Sequence, residues 1–146
     1  MTERTFTVPG KPVGKGRPRF STAAGYVKTY TPAKTANYEN WVRLCYQEAY
    51  RDMPQLEGPV CMVLEAVFAP AKSWPKKRRA LALSGHLRPV TKPDADNLIK
   101  AVADALNGIA YRDDVQVVSV ACDKRYGETE GLTVTLRPLQ SEECGG

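Results

Sequence analysis

The segment from Val60 to Ala69 constrains this chain most. Val60, Met62, Leu64, Ala66 and Phe68 alternate with Cys61, Val63 and Val67, and Glu65 is the sole charge in the run. A period-two pattern that is apolar on both sides describes a strand covered on both faces. Such a strand belongs in the middle of a sheet. The rest of the chain must then supply neighbouring strands and helices to cover them. Glu3–Val8, Val115–Cys122 and Leu132–Arg137 offer three more strands. The last two flank Gly127-Glu128-Thr129-Glu130-Gly131 and are expected to form a hairpin. Between Pro9 and Thr31 the glycines and prolines predict loop or irregular hairpin.

Three helices are expected. Thr31-Pro32 joins a hydroxyl N-cap to a proline at the first helical position. Tyr38, Trp41, Val42, Cys45 and Ala49 then recur at helical spacing to about Arg51, with the aromatics expected in the core. Ser73-Trp74-Pro75 opens a short basic helix that Gly85 ends. A third runs from about Asp94 to Gly108. The expected class is α/β (α+β): a small mixed four-stranded sheet with helices packed on it. A chain of 146 residues is long enough for one such core. One domain over 1–138 and a frayed tail over 139–146 are expected.

Charge is unevenly distributed. The net charge is +5. No acid lies between Arg4 and Tyr38, and none between Ala66 and Pro93, while both stretches carry several lysines and arginines. Acids gather instead at Asp94, Asp96, Asp104, Asp113 and Asp114. Cationic zones around an anionic centre suit a polyanionic partner and a bound cation together. No apolar run reaches the length of a membrane span, and Met1–Val8 has no signal-like apolar region, so a cytoplasmic location is expected. Cys45, Cys61, Cys122 and Cys144 have no metal-site spacing and are expected as three core thiols and one tail thiol. With His86 as the one histidine, zinc chemistry and a Ser-His-Asp triad are both disfavoured.

At about 100° per residue, Leu98, Ile99, Val102, Ala105, Leu106 and Ile109 share one face of the third helix. Asp96, Asn97, Lys100, Asp104 and Asn107 share the other. Asp94 suits an N-cap, which would be a purely structural use. The second acid pair, Asp113-Asp114, calls for another explanation. Two carboxylates at 4 Å repel by about 4 kcal/mol at an effective dielectric of 20. A divalent ion reverses that sign, and an oxygen-only ligand set favours Mg²⁺, with Mn²⁺ as a substitute. Lys100 is either an i,i+4 ion-pair partner for Asp96 and Asp104 or a contact to phosphate.

Lys92-Pro93-Asp94-Ala95-Asp96-Asn97-Leu98-Ile99-Lys100, then Asp104-Ala105-Leu106-Asn107-Gly108, then Asp113-Asp114-Val115-Gln116-Val117 resembles the signature of the RusA family of Holliday junction resolvases. A weaker similarity covers Gly10-Lys11-Pro12, Lys15-Gly16-Arg17-Pro18-Arg19-Phe20 and Tyr30-Thr31-Pro32. The resemblance implies a small α/β homodimer that cuts four-way or other branched DNA with Mg²⁺. It implies catalytic roles for Asp94, Asp96, Asp114 and Lys100. Asp94, Asp96 and Asp114 would be metal ligands, and Asp113 a further one. Lys11, Lys15, Arg17, Arg19 and Lys28 would contact DNA, joined by Lys76, Lys77 and Arg78 of the basic helix. Two alternatives remain: a non-catalytic basic DNA-binding protein, and an Asp-x-Asp metal-dependent phosphatase. The second is weakened because Val90-Thr91-Lys92-Pro93 is not an apolar strand.

Overall fold

The structure, a computed structural model, describes residues 3–15, 19–21, 28–30 and 33–139. Six strands and three helices follow in the order β1 (Arg4–Pro9), β2 (Arg19–Ser21), β3 (Lys28–Tyr30), α1 (Ala33–Ala49), β4 (Val60–Phe68), α2 (Lys76–Leu83), α3 (Ala95–Leu106), β5 (Val117–Tyr126) and β6 (Gly131–Pro138). β2 and β3 pair as a small antiparallel hairpin. The other four strands make one mixed sheet in the order β1-β6-β4-β5, in a single α+β domain. Thr31, Pro32 and Cys144, which carried the expected helix start and tail thiol, lie outside the described residues.

β4 is central, as its sequence requires, but it is not covered equally on both faces. Val60, Met62, Leu64, Ala66 and Phe68 are buried, whereas Cys61, Val63, Glu65 and Val67 are half-buried. The helices explain the difference. α1 packs on α3 and β1, and α3 packs on β5, so the core lies on one face. The other face carries Thr5, Thr7, Thr133 and Thr135 beside the outward residues of β4. There Glu65 finds a partner in Arg125. Cys45, Cys61 and Cys122 are free and half-buried, and Cys45 and Cys122 pack against the core.

The expected β5–β6 hairpin does not form. β5 runs parallel to β4, and β6 inserts between β4 and β1, antiparallel to both. The turn from β5 to β6 therefore crosses the end of β4. Gly127 N–H donates to the Phe68 carbonyl at 3.0 Å, and Ala69 N–H donates to the Glu130 carboxylate at 3.2 Å. A Cβ on Gly127 would lie 2.6 Å from Val67 Cγ1, so any larger residue at the crossing would force Val67 to shift. A two-strand turn and a turn that steps over a strand share the same glycine-rich signal. The parallel β4–β5 pair is the long crossover through α2 and α3 that such pairs need.

α1 buries Tyr38, Val42 and Tyr46, but Trp41 remains 40% exposed. Its indole donates to the Pro9 carbonyl at 2.8 Å. The Tyr50 hydroxyl donates to the Thr5 carbonyl at 2.9 Å and accepts from the Thr5 N–H at 2.7 Å. Both side chains thus occupy backbone groups along the free edge of β1, an edge that would otherwise be open to pairing. Arg4, one of the cations of the acid-free stretch, is buried with a guanidinium nitrogen 2.6 Å from the Tyr46 hydroxyl.

Gly127→Ala should destabilise the fold by about 1–3 kcal/mol through overpacking. Urea unfolding checks this, and adding Val67→Ala should recover much of the loss.

Candidate active site

α3 is placed by its apolar stripe. Leu98, Ala101, Val102, Ala105 and Leu106 are buried, and Ile99 packs partly against the same core. Ala101, absent from the apolar stripe read from the sequence, is buried as well. The stripe turns Asp96 and Lys100 outward, both exposed, while Asp104 is half-buried. Asp94 stands at the N-cap position, and its carbonyl accepts from the Leu98 N–H at 3.1 Å. Its side chain makes no capping hydrogen bond, so the carboxylate is not consumed by the structural use the position suggested. The positive end of the helix favours the charge of both Asp94 and Asp96.

The other end of α3 is tied off carbonyl by carbonyl. Ala103 accepts from the Tyr111 hydroxyl at 2.8 Å, and Asp104 accepts from the Asn107 N–H at 3.3 Å. Ala105 accepts from Arg43 Nε at 3.1 Å, and Leu106 accepts from the Ala110 N–H at 3.0 Å. The last four carbonyls of a helix lack intrahelical partners, and all four are satisfied here. Gly108 at φ +76° allows the reversal that returns the chain beside the helix. Tyr111, fully buried, holds it there. Burial pushes the Tyr111 phenol up, with the carboxylates of Asp114 and Asp104 adding to it.

This reversal delivers Asp113 and Asp114. Asn107 Oδ1 accepts from the Asp114 N–H at 3.0 Å, which joins the acidic turn to the end of α3. Asp113 caps the short 3₁₀ turn Asp114–Gln116: it accepts from the Val115 N–H at 3.1 Å, and Gln116 reciprocates on the backbone of Asp113. The Asp114 side chain caps no backbone group. Desolvation raises its carboxyl pKa, as do its hydrogen bond to Asp113 and the charges of Asp113 and Asp104, while Lys100 opposes the rise. The division of labour favours Asp114 over Asp113 as a cation ligand.

The acids therefore occupy two stations along one helix face. Asp94 and Asp96 stand at its start; Asp104, Asp113 and Asp114 stand at its end. From Asp96 to Asp104 the helix rises about 12 Å. Among the described residues no three of Asp, Glu, His and Cys come close enough together to share one ion. Lys100 lies between the stations, 64% exposed, with its ammonium 3.7 Å from Asp104. Of its two expected partners it takes Asp104.

The expected DNA contacts divide as well. Lys11, Lys76, Lys77 and Arg78 are exposed. The Arg78 guanidinium lies 4.0 Å from the centre of the Trp74 ring. Lys15 is not free: Glu39 lies 2.6 Å and Asp104 3.2 Å from its ammonium. Arg17 and the side chains of Arg19 and Lys28 lie outside the described residues. Two further cations hold the approach to Asp94. Lys124 donates to the Thr91 carbonyl at 2.7 Å, and Arg88 donates to the Lys124 carbonyl at 3.0 Å. Glu39 had a visible signal, being the first acid after the long acid-free stretch. Arg88 and Lys124 had none, because their contacts depend on where β5 lies.

The family described as "Endodeoxyribonuclease RusA" matches residues 9–137. The chain belongs to that family. It is also 40% identical, over 139 residues, to the "Uncharacterized protein YqaN" of Bacillus subtilis (strain 168), an alignment spanning 93% of this chain and 96% of the relative.

A carboxyl whose pKa is raised by folding stabilises the fold while protonated, and that contribution is lost as pH rises through its folded value. Without added cation, Asp114→Asn should therefore melt at a higher temperature than the parent at neutral pH. The gap should close as pH falls below the carboxylate range. Thermal melts across pH in EDTA check the sign.

Proposed function

We propose that this chain is a Mg²⁺-dependent endodeoxyribonuclease. It resolves four-way DNA junctions and related branched DNA by paired, symmetric nicks in recombination and repair. Family membership supports the nuclease class. The observation that carries the site is the polar face of α3. It presents Asp94, Asp96 and Lys100 to solvent while the turn after it brings Asp114 to the same helix.

Asp94 with Asp96, and Asp114 at the other station, supply only oxygen donors, a chemistry suited to Mg²⁺ or Mn²⁺. The two stations stand too far apart here to share one ion, so one or two ions would be held station by station. Asp113, occupied as a cap, is the secondary ligand. When bound, the ion would polarise the scissile phosphate and lower the pKa of an attacking water. It would also offset the repulsion that Asp113 and Asp104 impose on Asp114. Lys100 reaches outward from between the stations and stabilises charge developing on the phosphate oxygens. Attack at phosphorus with departure of the 3′-oxygen leaves a 5′-phosphate and a 3′-hydroxyl. Lys11 and the α2 cations Lys76, Lys77 and Arg78 hold the flanking backbone, assisted by Arg17, Arg19 and Lys28. Two matched cuts across a junction call for two sites related by a two-fold axis, hence a homodimer. The setting is the cytoplasm; among the described residues no helix is long and apolar enough to cross a membrane.

A second reading, a non-catalytic DNA-binding protein, draws on one observation: the acids of the two stations are not gathered into one cluster among the described residues. Incubating the protein with labelled four-way junction and linear duplex, with Mg²⁺ or EDTA, separates the two. Symmetric nicks in the junction alone, and only with metal, are expected. Binding that persists in EDTA with no cut when Mg²⁺ is restored would establish the second reading instead. Asp114→Asn should bind the junction and lose cleavage by at least about 100-fold, through loss of the ion that would stabilise the transition-state charge. Lys100→Ala should lower turnover more than affinity; a change confined to thermal stability would reduce Lys100 to an ion-pair partner of Asp104.

A further inference from the structure

Lys15 has the sequence context of a phosphate contact and the surroundings of something else. Its side chain is only 20% exposed, and those of Glu39 and Asp104 are 14% and 25% exposed. Glu39 belongs to α1 and Asp104 to α3, so one ammonium bridges the two helices that cover the sheet. Burial opposes the lysine charge, but its hydrogen bonds to Glu39 and Asp104 and their negative charges outweigh it and hold the ammonium protonated.

The backbone around Lys15 is fixed too. Its N–H donates to the Asn97 carbonyl in the first turn of α3 at 2.9 Å. A Cβ on the preceding Gly14 would lie 2.8 Å from Pro93 Cβ and 3.0 Å from Asn97 Cβ. Pro93 and Asn97 flank the Asp94–Asp96 pair in sequence. The loop therefore touches α3 at both acid stations: its backbone at the start of the helix, its ammonium at Asp104.

We infer that Lys15 is a positioning residue, which clamps the N-terminal loop across both acid stations of α3, and not a contact to DNA. The inference rests on the nuclease reading for its catalytic consequence. Two carboxylates already neutralise the charge of Lys15, leaving little for a phosphate. In turn Lys15 shares Asp104 Oδ2 with Lys100, which remains 64% exposed at 3.7 Å. The clamp satisfies Asp104 without requiring Lys100 to do so.

Four variants test this: Lys15→Met, Glu39→Gln, the two together, and Lys15→Arg. With four-way junction at saturating protein and Mg²⁺, Lys15→Met should slow single-turnover cleavage by about 10- to 100-fold, the scale of a small misplacement. Glu39→Gln should slow it in the same direction, and the double variant should lose less than the product of the two, since the residues act as a unit. Lys15→Arg should restore most of the rate. In EDTA, the slope of log K against log salt for Lys15→Met should match the parent. A slope smaller by about 0.9, the value for one lost phosphate, with cleavage at saturation unchanged, would overturn the inference.

Amide exchange at residue 15 reads the clamp without DNA. It should quicken in both Lys15→Met and Glu39→Gln. Unchanged exchange in both would refute the clamp even in an active enzyme. Quickened exchange in a protein that cuts no DNA would uphold the clamp while the nuclease reading failed.

Discussion

The burial of one side of α3 governs everything the candidate site can do. Leu98, Val102 and Leu106 are each fully buried, and burial of such a side chain contributes about 1.5–3 kcal/mol. A rotation of the helix about its axis would expose these groups and bury Asp96 or Lys100. An unpaired charge taken from water costs far more than a lost methyl contact. The apolar stripe thus sets the direction in which the acids and the lysine point. It does so without any contact to the acids themselves.

Around that helix, polar contacts set position rather than overall stability. The four closing carbonyls, the Asn107 side chain and Tyr111 return the chain so that Asp114 stands at the end of α3. Lys15 joins the loop, α1 and α3 through two carboxylates. These groups gain little in net energy over their hydration, but a missing partner would leave a part-buried polar group unsatisfied. Their geometry is accordingly strict. Asp113 and Asp114, neighbours in sequence and identical in type, are separated by it into a backbone cap and a carboxylate that caps nothing.

Most of the elements were legible because each has a local cause. β4 follows from period-two alternation, α3 from period 3.6, and α2 from Pro75 at one end and Gly85 at the other. Strand partners were less legible. The β5–β6 connection reads as a hairpin, but β6 lies beside β4 and β1 instead. Alternation states which side of a strand is apolar, not which strand lies next to it. The uneven cover of β4 has a similar origin: Cys61, Val63 and Val67 are apolar enough for either a half-covered or a covered face. Trp41 shows the same limit in a helix, where its ring was expected in the core and instead serves the β1 edge through its N–H.

The sequence by itself determined the class of fold, the acid-and-lysine face of α3 and the family to which they belong, because those depend on spacing and order along the chain. Only the tertiary structure decided which cations are free and which acids are occupied. Lys15 and Lys11 look alike in a basic stretch, yet one is held between two helices and the other is exposed. Asp94 suits a cap and does not act as one, whereas Asp113 does. Such distinctions depend on a few ångströms between residues far apart in the chain, a distance that only the packing of α1, α3 and the returning turn sets.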